Sequence, residues 1–204
     1  MKQVRFLLPA ILVLFVYIHA IAQTPTATIS GQVTLVDGTT SLSGVDVVLT
    51  DELGGIVATT QTNASGEYEF ADIPTGATYS LALNRADGAP LNGVSTFDAV
   101  LIARHILGVE ALSTPYKIIA ADANGSGTNT TFDIVLIRRL ILGISQQFDI
   151  AHWRFVRADL AFPNLDQVFA TLNADPAQFL LGADLTRNFV AVKIGDVNGS
   201  AVTQ

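Results

Sequence analysis

The sequence predicts a multidomain chain: an all-β sandwich followed by a mainly α part that carries a β-containing insertion. Three observations predict it. Residues 27–83 contain short runs rich in Val, Ile, Thr and Tyr, alternating apolar with polar and separated by Gly, Asp and Asn turns. Residues 94–109 and 129–144 are an internal repeat, identical at ten of 16 positions, with apolar residues at helical spacing. Residues 145–193 then return to strand-like runs broken by Pro163, Pro176 and several Asn and Asp.

The first 22 residues are set apart from this plan. Lys2 and Arg5 form a basic start, residues 6–18 an apolar run too short to span a bilayer, and Ala20-Ile21-Ala22 a small-x-small cleavage signal, so 1–22 reads as a secretory signal peptide. Its removal leaves nine Lys plus Arg against 18 Asp plus Glu, a net charge of −9. That balance excludes a nucleic-acid partner, which needs clustered Lys and Arg. With no Cys, disulfides, thiolate zinc sites and Cys nucleophiles are excluded, and stability outside the cell must come from packing or bound ions. Arg104 and the Arg138-Arg139 pair interrupt the best later apolar runs, so no membrane span is expected after the signal.

The β elements come first. Residues 29–35 alternate before the Asp37-Gly38 turn, and residues 45–49, 56–62, 68–70 and 79–83 continue the pattern, with Ser65-Gly66 and Pro74-Thr75-Gly76 between strands. Strands with one apolar face must bury it on a second sheet, which gives a small antiparallel sandwich. The order Gly31-x-Val33, Leu42-Ser43-Gly44-Val45-x-Val47-x-Leu49 and Thr62-Asn63-x-x-Gly66-x-Tyr68-x-Phe70-x-x-Ile73-Pro74-x-Gly76-x-x-Tyr79 resembles the carboxypeptidase regulatory-like family, a prealbumin-like sandwich. The resemblance implies a spacer or stabilising role, within a fold group that includes carbohydrate-binding domains. Tyr68, Phe70 and Tyr79 could form a sugar-stacking platform, but their alternate spacing favours core or cross-strand packing.

The repeat carries the chemistry. Each copy has Asp in the first helical turn, a basic residue near the last and Gly after the final Leu, the signals of a short helix. Before the second copy, residues 122–133 form a 12-position EF-hand-type loop. Asp122, Asn124, Ser126, Thr130 and Asp133 place side-chain oxygens at positions 1, 3, 5, 9 and 12, Gly127 stands at 6, and Thr128 offers its carbonyl at 7. Calcium takes six or more hard oxygen ligands around a tight turn, and this spacing points alternate residues inward. The first copy lacks such a start: counted back from Asp98, position 1 is Asp87 but positions 3 and 5 are Ala89 and Leu91. The missing start recurs at the far end of the chain, where residues 196–200 read Asp-Val-Asn-Gly-Ser. We therefore expect a split calcium site from Asp196, Asn198 and Ser200 with Gly93, Ser95 and Asp98. A solvated turn after the strand at 189–194 is the plainer alternative. Two bound ions would bring the net charge from −9 to about −5.

Loop and helix together resemble a type I dockerin repeat, with Asp rather than Glu at position 12. The resemblance implies two calcium ions and docking to a cohesin-like extracellular protein, as in scaffolds that tether polysaccharide-degrading enzymes. Dockerins often carry small hydroxyl residues at positions 10 and 11. Here those positions are Thr96-Phe97 and Thr131-Phe132, and the two phenylalanines are expected to pack internally. A dockerin-like pair with an insertion and a Gly-Asp-Val-Asn-Gly ending is similar to modules in large secreted proteins of gliding, gram-negative bacteria. The expected boundaries are 1–22 for the signal and 23–84 for the sandwich. The dockerin-like part takes 85–204, with repeats at about 87–109 and 122–144, an insertion at about 145–193 and a closing segment at 194–200.

No enzyme motif emerges. His19 leaves with the signal, and His105 and His152 stand outside any His-Glu-x-x-His or Gly-x-Ser-x-Gly arrangement. The expectation is a secreted or cell-surface, non-catalytic calcium-binding protein that attaches to a protein partner. Carbohydrate binding through the sandwich, with a polysaccharide as ligand, is the alternative.

Overall fold

The computed structural model describes residues 24–86 and 90–203. The expected signal peptide, and Asp87 and Ala89 of the first repeat's count, lie outside the described residues. Five strands open the chain: β1 (Thr26–Leu35), β2 (Asp46–Asp51), β3 (Ile56–Gln61), β4 (Glu67–Pro74) and β5 (Thr78–Asn84). Three helices follow, α1 (Thr96–Ile106), α2 (Pro115–Ala121) and α3 (Thr131–Ile141). The insertion contributes β6 (Trp153–Arg157), a 3-10 turn (Leu165–Gln167), α4 (Val168–Ala174), β7 (Gln178–Leu180), β8 (Leu185–Thr186) and β9 (Phe189–Lys193).

Two sheets form the sandwich, one ordered β4-β1-β9-β6 with β8 also paired to β1, the other β3-β2-β5-β7. Four of these nine strands come from beyond residue 150. The boundary expected at 84/85 falls between β5 and α1, and β6 to β9 cross it to rejoin the sandwich. Strands β1 to β5 pair antiparallel, as expected of residues 27–83, whereas β8 and β9 of the insertion both run parallel to β1. The reason is topological, since these strands return only after a helical excursion, and a long crossover permits the parallel arrangement.

β9 joins two cores. Successive side chains of a strand point to opposite faces, so Phe189 and Ala191 enter the sandwich core with Ile29, Val33, Val47 and Trp153. Val192, with Ile194 just past the strand, enters the helical core with Ile102, Ile119 and Ile137. All five β9 residues are buried, as a strand covered on both faces requires.

The close approach of β1 to β8 depends on Gly31. A methyl group there would land on the Arg187 carbonyl oxygen and lie 2.8 Å from Tyr68 Cε1. The Tyr68 hydroxyl donates to that same carbonyl at 2.6 Å. Gly31→Ala is therefore expected to cost about 3 kcal/mol through overpacking. Urea unfolding followed by the fluorescence of Trp153 measures it, and a cost near zero would show that β1 and β8 separate freely.

Candidate metal centre

Two loops, one contiguous and one assembled from distant segments, have the same internal geometry. In the contiguous loop both oxygens of Asp122 are fixed by backbone: Oδ1 accepts from Ser126 N at 2.9 Å and Oδ2 from Gly127 N at 2.9 Å. In the assembled loop Asp196 Oδ1 accepts from Ser200 N at 2.9 Å and Oδ2 from Ala201 N at 2.7 Å. Asn124 Oδ1 accepts from Ser126 N, and Asn198 Oδ1 from Ser200 N, each at 3.0 Å. The hydroxyl of Ser126 donates to the Thr128 carbonyl at 3.1 Å, and that of Ser200 to the Gly93 carbonyl at 3.1 Å. Thr128 and Gly93 hold the same position 7 in the two counts. Gly125 and Gly199, at position 4 of each, take φ values of +70° and +73°, which side chains disfavour.

The position-12 carboxylates also correspond. Asp133 Oδ1 accepts from Ala123 N at 3.0 Å, while its Oδ2 accepts from the N–H and hydroxyl of Thr130 at 2.8 and 3.1 Å. Asp98 Oδ1 accepts from Val197 N at 2.8 Å and from Asn198 N at 3.0 Å. Its Oδ2 accepts from the N–H and hydroxyl of Ser95, both at 2.8 Å. Thr130 and Ser95 are the N-caps of α3 and α1, and in both their hydroxyls are turned onto the carboxylate. Each Asp is thus pinned by the start of its own helix and by the first turn of its loop.

The chain splices the second loop at position 6, where the N–H comes from Ala201 and the next carbonyl from Gly93. Asn92 fixes the splice by donating to the Val202 carbonyl at 2.7 Å and accepting from Val202 N at 3.1 Å. Gly93, with φ +78°, admits this approach: a methyl there would lie 2.6 Å from Ala201 N and 2.7 Å from the Asp196 carboxylate. Asn92 is position 6 of the split loop read from the sequence, whereas Ala201 escapes sequence reasoning, because an isolated Ala carries no motif.

Electrostatically both loops are unbalanced. Asp98, Asp122, Asp133 and Asp196 are 0, 1, 0 and 6% exposed. Among the described residues, none of the four forms an ion pair with Lys, Arg or His. Burial, followed at a distance by the negative charge of Asp98, pushes the Asp196 carboxyl above its ordinary value of 3.8, against hydrogen bonds that lower it. Buried charge without a counter-charge is costly. Among the described residues no three His, Cys, Asp or Glu side chains converge on one point. Each loop instead offers two carboxylates together with amide, hydroxyl and carbonyl oxygens, the hard mixed donor set that calcium takes.

The internal packing expected of Phe97 and Phe132 is corrected: both are 54% exposed. Position 11 lies one residue before the buried position-12 Asp, turned about 100° away from it around the first helical turn. Val100 and the C-cap Leu107 continue that exposed side of α1, as Val135 and the C-cap Leu142 do for α3. Tyr68, Phe70 and Tyr79 are core residues, buried between the sheets, so they form no exposed platform. His105 accepts a hydrogen bond from Leu112 N through Nδ1 at 3.3 Å, a structural contact that closes the turn after α1. Among the described residues no helix is long and apolar enough to cross a membrane.

Residues 28–96, which span β1 to β5, match the model of the carboxypeptidase regulatory-like domain family, to which this part of the sandwich is similar. None of the curated proteins matches the chain. Among solved structures it is similar to the major pilin subunit BcpA of Bacillus cereus, at 24% identity over 30% of this chain and 19% of that one, with a TM-score of 0.28. It is also similar to a C-terminal fragment of the pilus adhesin SpaC of Lactobacillus rhamnosus GG, at 24% identity over 32% and 25% of the two chains, TM-score 0.27. A third is the 5-hydroxyisourate hydrolase of Klebsiella pneumoniae, at 30% identity over 28% and 57%, TM-score 0.26. The aligned part spans about a fifth of the pilin's length.

Proposed function

We propose that the chain is a secreted, non-catalytic attachment protein whose dockerin-like part binds two calcium ions and docks an extracellular, cohesin-like protein. The observation that carries this reading is the duplication of one oxygen nest, each copy holding two buried carboxylates with no cationic partner. Asp122, Asn124, Ser126, the Thr128 carbonyl and Asp133 would hold one ion, with Asp196, Asn198, Ser200, the Gly93 carbonyl and Asp98 holding the other. Thr130 and Ser95 orient the position-12 carboxylates. Calcium bound there supplies the missing positive charge and fixes α1 and α3, which pack on one another.

With the helices fixed, each presents Phe, Val and Leu to solvent in the same order. Arg138 and Arg139 on α3 are exposed beside these stripes, as is Arg104 on α1, which is already paired with Glu110 at 2.8 Å, although the mature chain is acidic. A protein surface with an apolar centre and an acidic rim complements them. The chain carrying Phe97→Asp and Phe132→Asp is expected to lose at least tenfold in affinity for the protein it captures from the host secretome. It should keep its melting temperature, because both rings are exposed. Capture that is also lost with chelator supports the reading. Capture indifferent to both changes, or retention on insoluble glycan instead, goes against it.

A further inference from the structure

We propose that the cleft between the free edge of β6 and the end of α4 binds a carboxylate-bearing sugar, a uronic-acid unit of an acidic glycan. The cleft has a volume of about 200 Å³, and its lining includes Leu81, Arg157, Leu172, Asp175, Pro176 and Arg187. Arg154 borders it as well, so three of the nine cationic residues outside the signal gather here in an acidic protein.

Two of these arginines have different roles. Arg157 is neutralised, with Nε 3.0 Å from Asp159 Oδ1 and Nη1 3.0 Å from Asp175 Oδ1. Arg187 is not. Its guanidinium lies 4.4 Å from the centre of the Phe179 ring and donates no hydrogen bond to any described residue. It is partly buried, and burial followed by the positive charge of Arg157 pulls it below its ordinary value, against the opposing pull of Asp159, Tyr68 and Asp175. Its backbone is held, because Arg187 N donates to the Ser30 carbonyl at 2.8 Å and its own carbonyl receives the Tyr68 hydroxyl. The result is a guanidinium stacked on Phe179 with its N–H donors open to an acceptor, at the mouth of a small cavity.

A carboxylate matches that fork, since guanidinium and carboxylate pair through two parallel hydrogen bonds. Leu81, Leu172 and Pro176 offer an apolar wall for the C–H face of a ring, and Asp175 can accept from a ring hydroxyl. The volume is below the range of pockets for drug-sized ligands, so it suits one ring and not an extended peptide. This site lies on the sandwich, and the proposal does not depend on calcium.

Titration of the whole mature chain with galacturonate, galactose, acetate and a short peptide ending in a free carboxylate tests it. Galacturonate is expected to bind at least tenfold more tightly than galactose or acetate. R187Q should lose that preference while Trp153 fluorescence and melting temperature are retained, and R187K should retain binding only in part. Equal binding of galactose, no binding of galacturonate, or galacturonate binding unchanged in R187Q would overturn the assignment. Tighter binding of the peptide would overturn the sugar. If R187Q does not fold, the comparison of galacturonate with galactose and acetate on the unaltered chain decides alone.

Discussion

Asp98→Ala is expected to remove one bound calcium ion and, even in chelator, to cost about 4 kcal/mol of stability. The carboxylate is fully buried and accepts from Ser95 N, Ser95 Oγ, Val197 N and Asn198 N. A methyl group in its place leaves three backbone N–H groups without their acceptor, at about 1–3 kcal/mol for each one that water does not reach. Two of those donors belong to the closing segment, so the same change loosens the chain from Asp196 onward. Asp122→Ala should likewise remove one ion, but from the contiguous loop, leaving the closing segment in place. Denaturant unfolding of the three proteins, with and without calcium, measures the difference. A cost below about 1 kcal/mol for Asp98→Ala in chelator would show that the two ends of the split loop are not held by this residue.

The second large effect concerns calcium itself. A ligand that binds only the folded state at a free concentration about 100 times its Kd stabilises by about 2.7 kcal/mol per site. Two sites give about 5 kcal/mol, which for a chain of this size raises the melting temperature by about 10–20 °C. Chelation should take that away from the sandwich as well as from the helices. β9 is shared by both cores and leads directly into Asp196, so stability lost at the closing loop is lost to both cores together. The protein's single tryptophan, Trp153, lies in the sandwich core opposite Lys193 of β9 and reports on this directly. Its fluorescence and the helical circular dichroism are expected to melt together, both lowered by chelator. Helical melting that shifts while the tryptophan transition stays put would show two independent units.

The elements legible in the sequence were those with local signals. Strands β1 to β5, β6 and β9 follow from alternation between turn residues, and α1 and α3 from the repeat with its first-turn Asp and terminal Gly. Helix α2 was missed because Ile118-Ile119-Ala120-Ala121 is buried all round and has no periodicity, leaving only Thr114 before Pro115 as a start signal. Strands β7 and β8 have three and two residues, too short for any period. The parallel pairing of β1 with β9 is invisible locally, since it joins residues more than 150 apart. The split loop was legible for a different reason: a rare string, Asp-x-Asn-Gly-Ser, occurs twice, and the second copy supplies what the first repeat lacks. Phe97 and Phe132 were misread because an aromatic ring in both copies suggests a core, whereas helical phase places them outside.

The count of bound calcium tests the account most directly, made at saturation on the chain from residue 23 onward and on a version that stops at Ile194. Two ions on the first and one on the second are expected, with Asp133→Ala removing the ion that remains. One ion on both would contradict the split site, and none on either would contradict the calcium reading altogether.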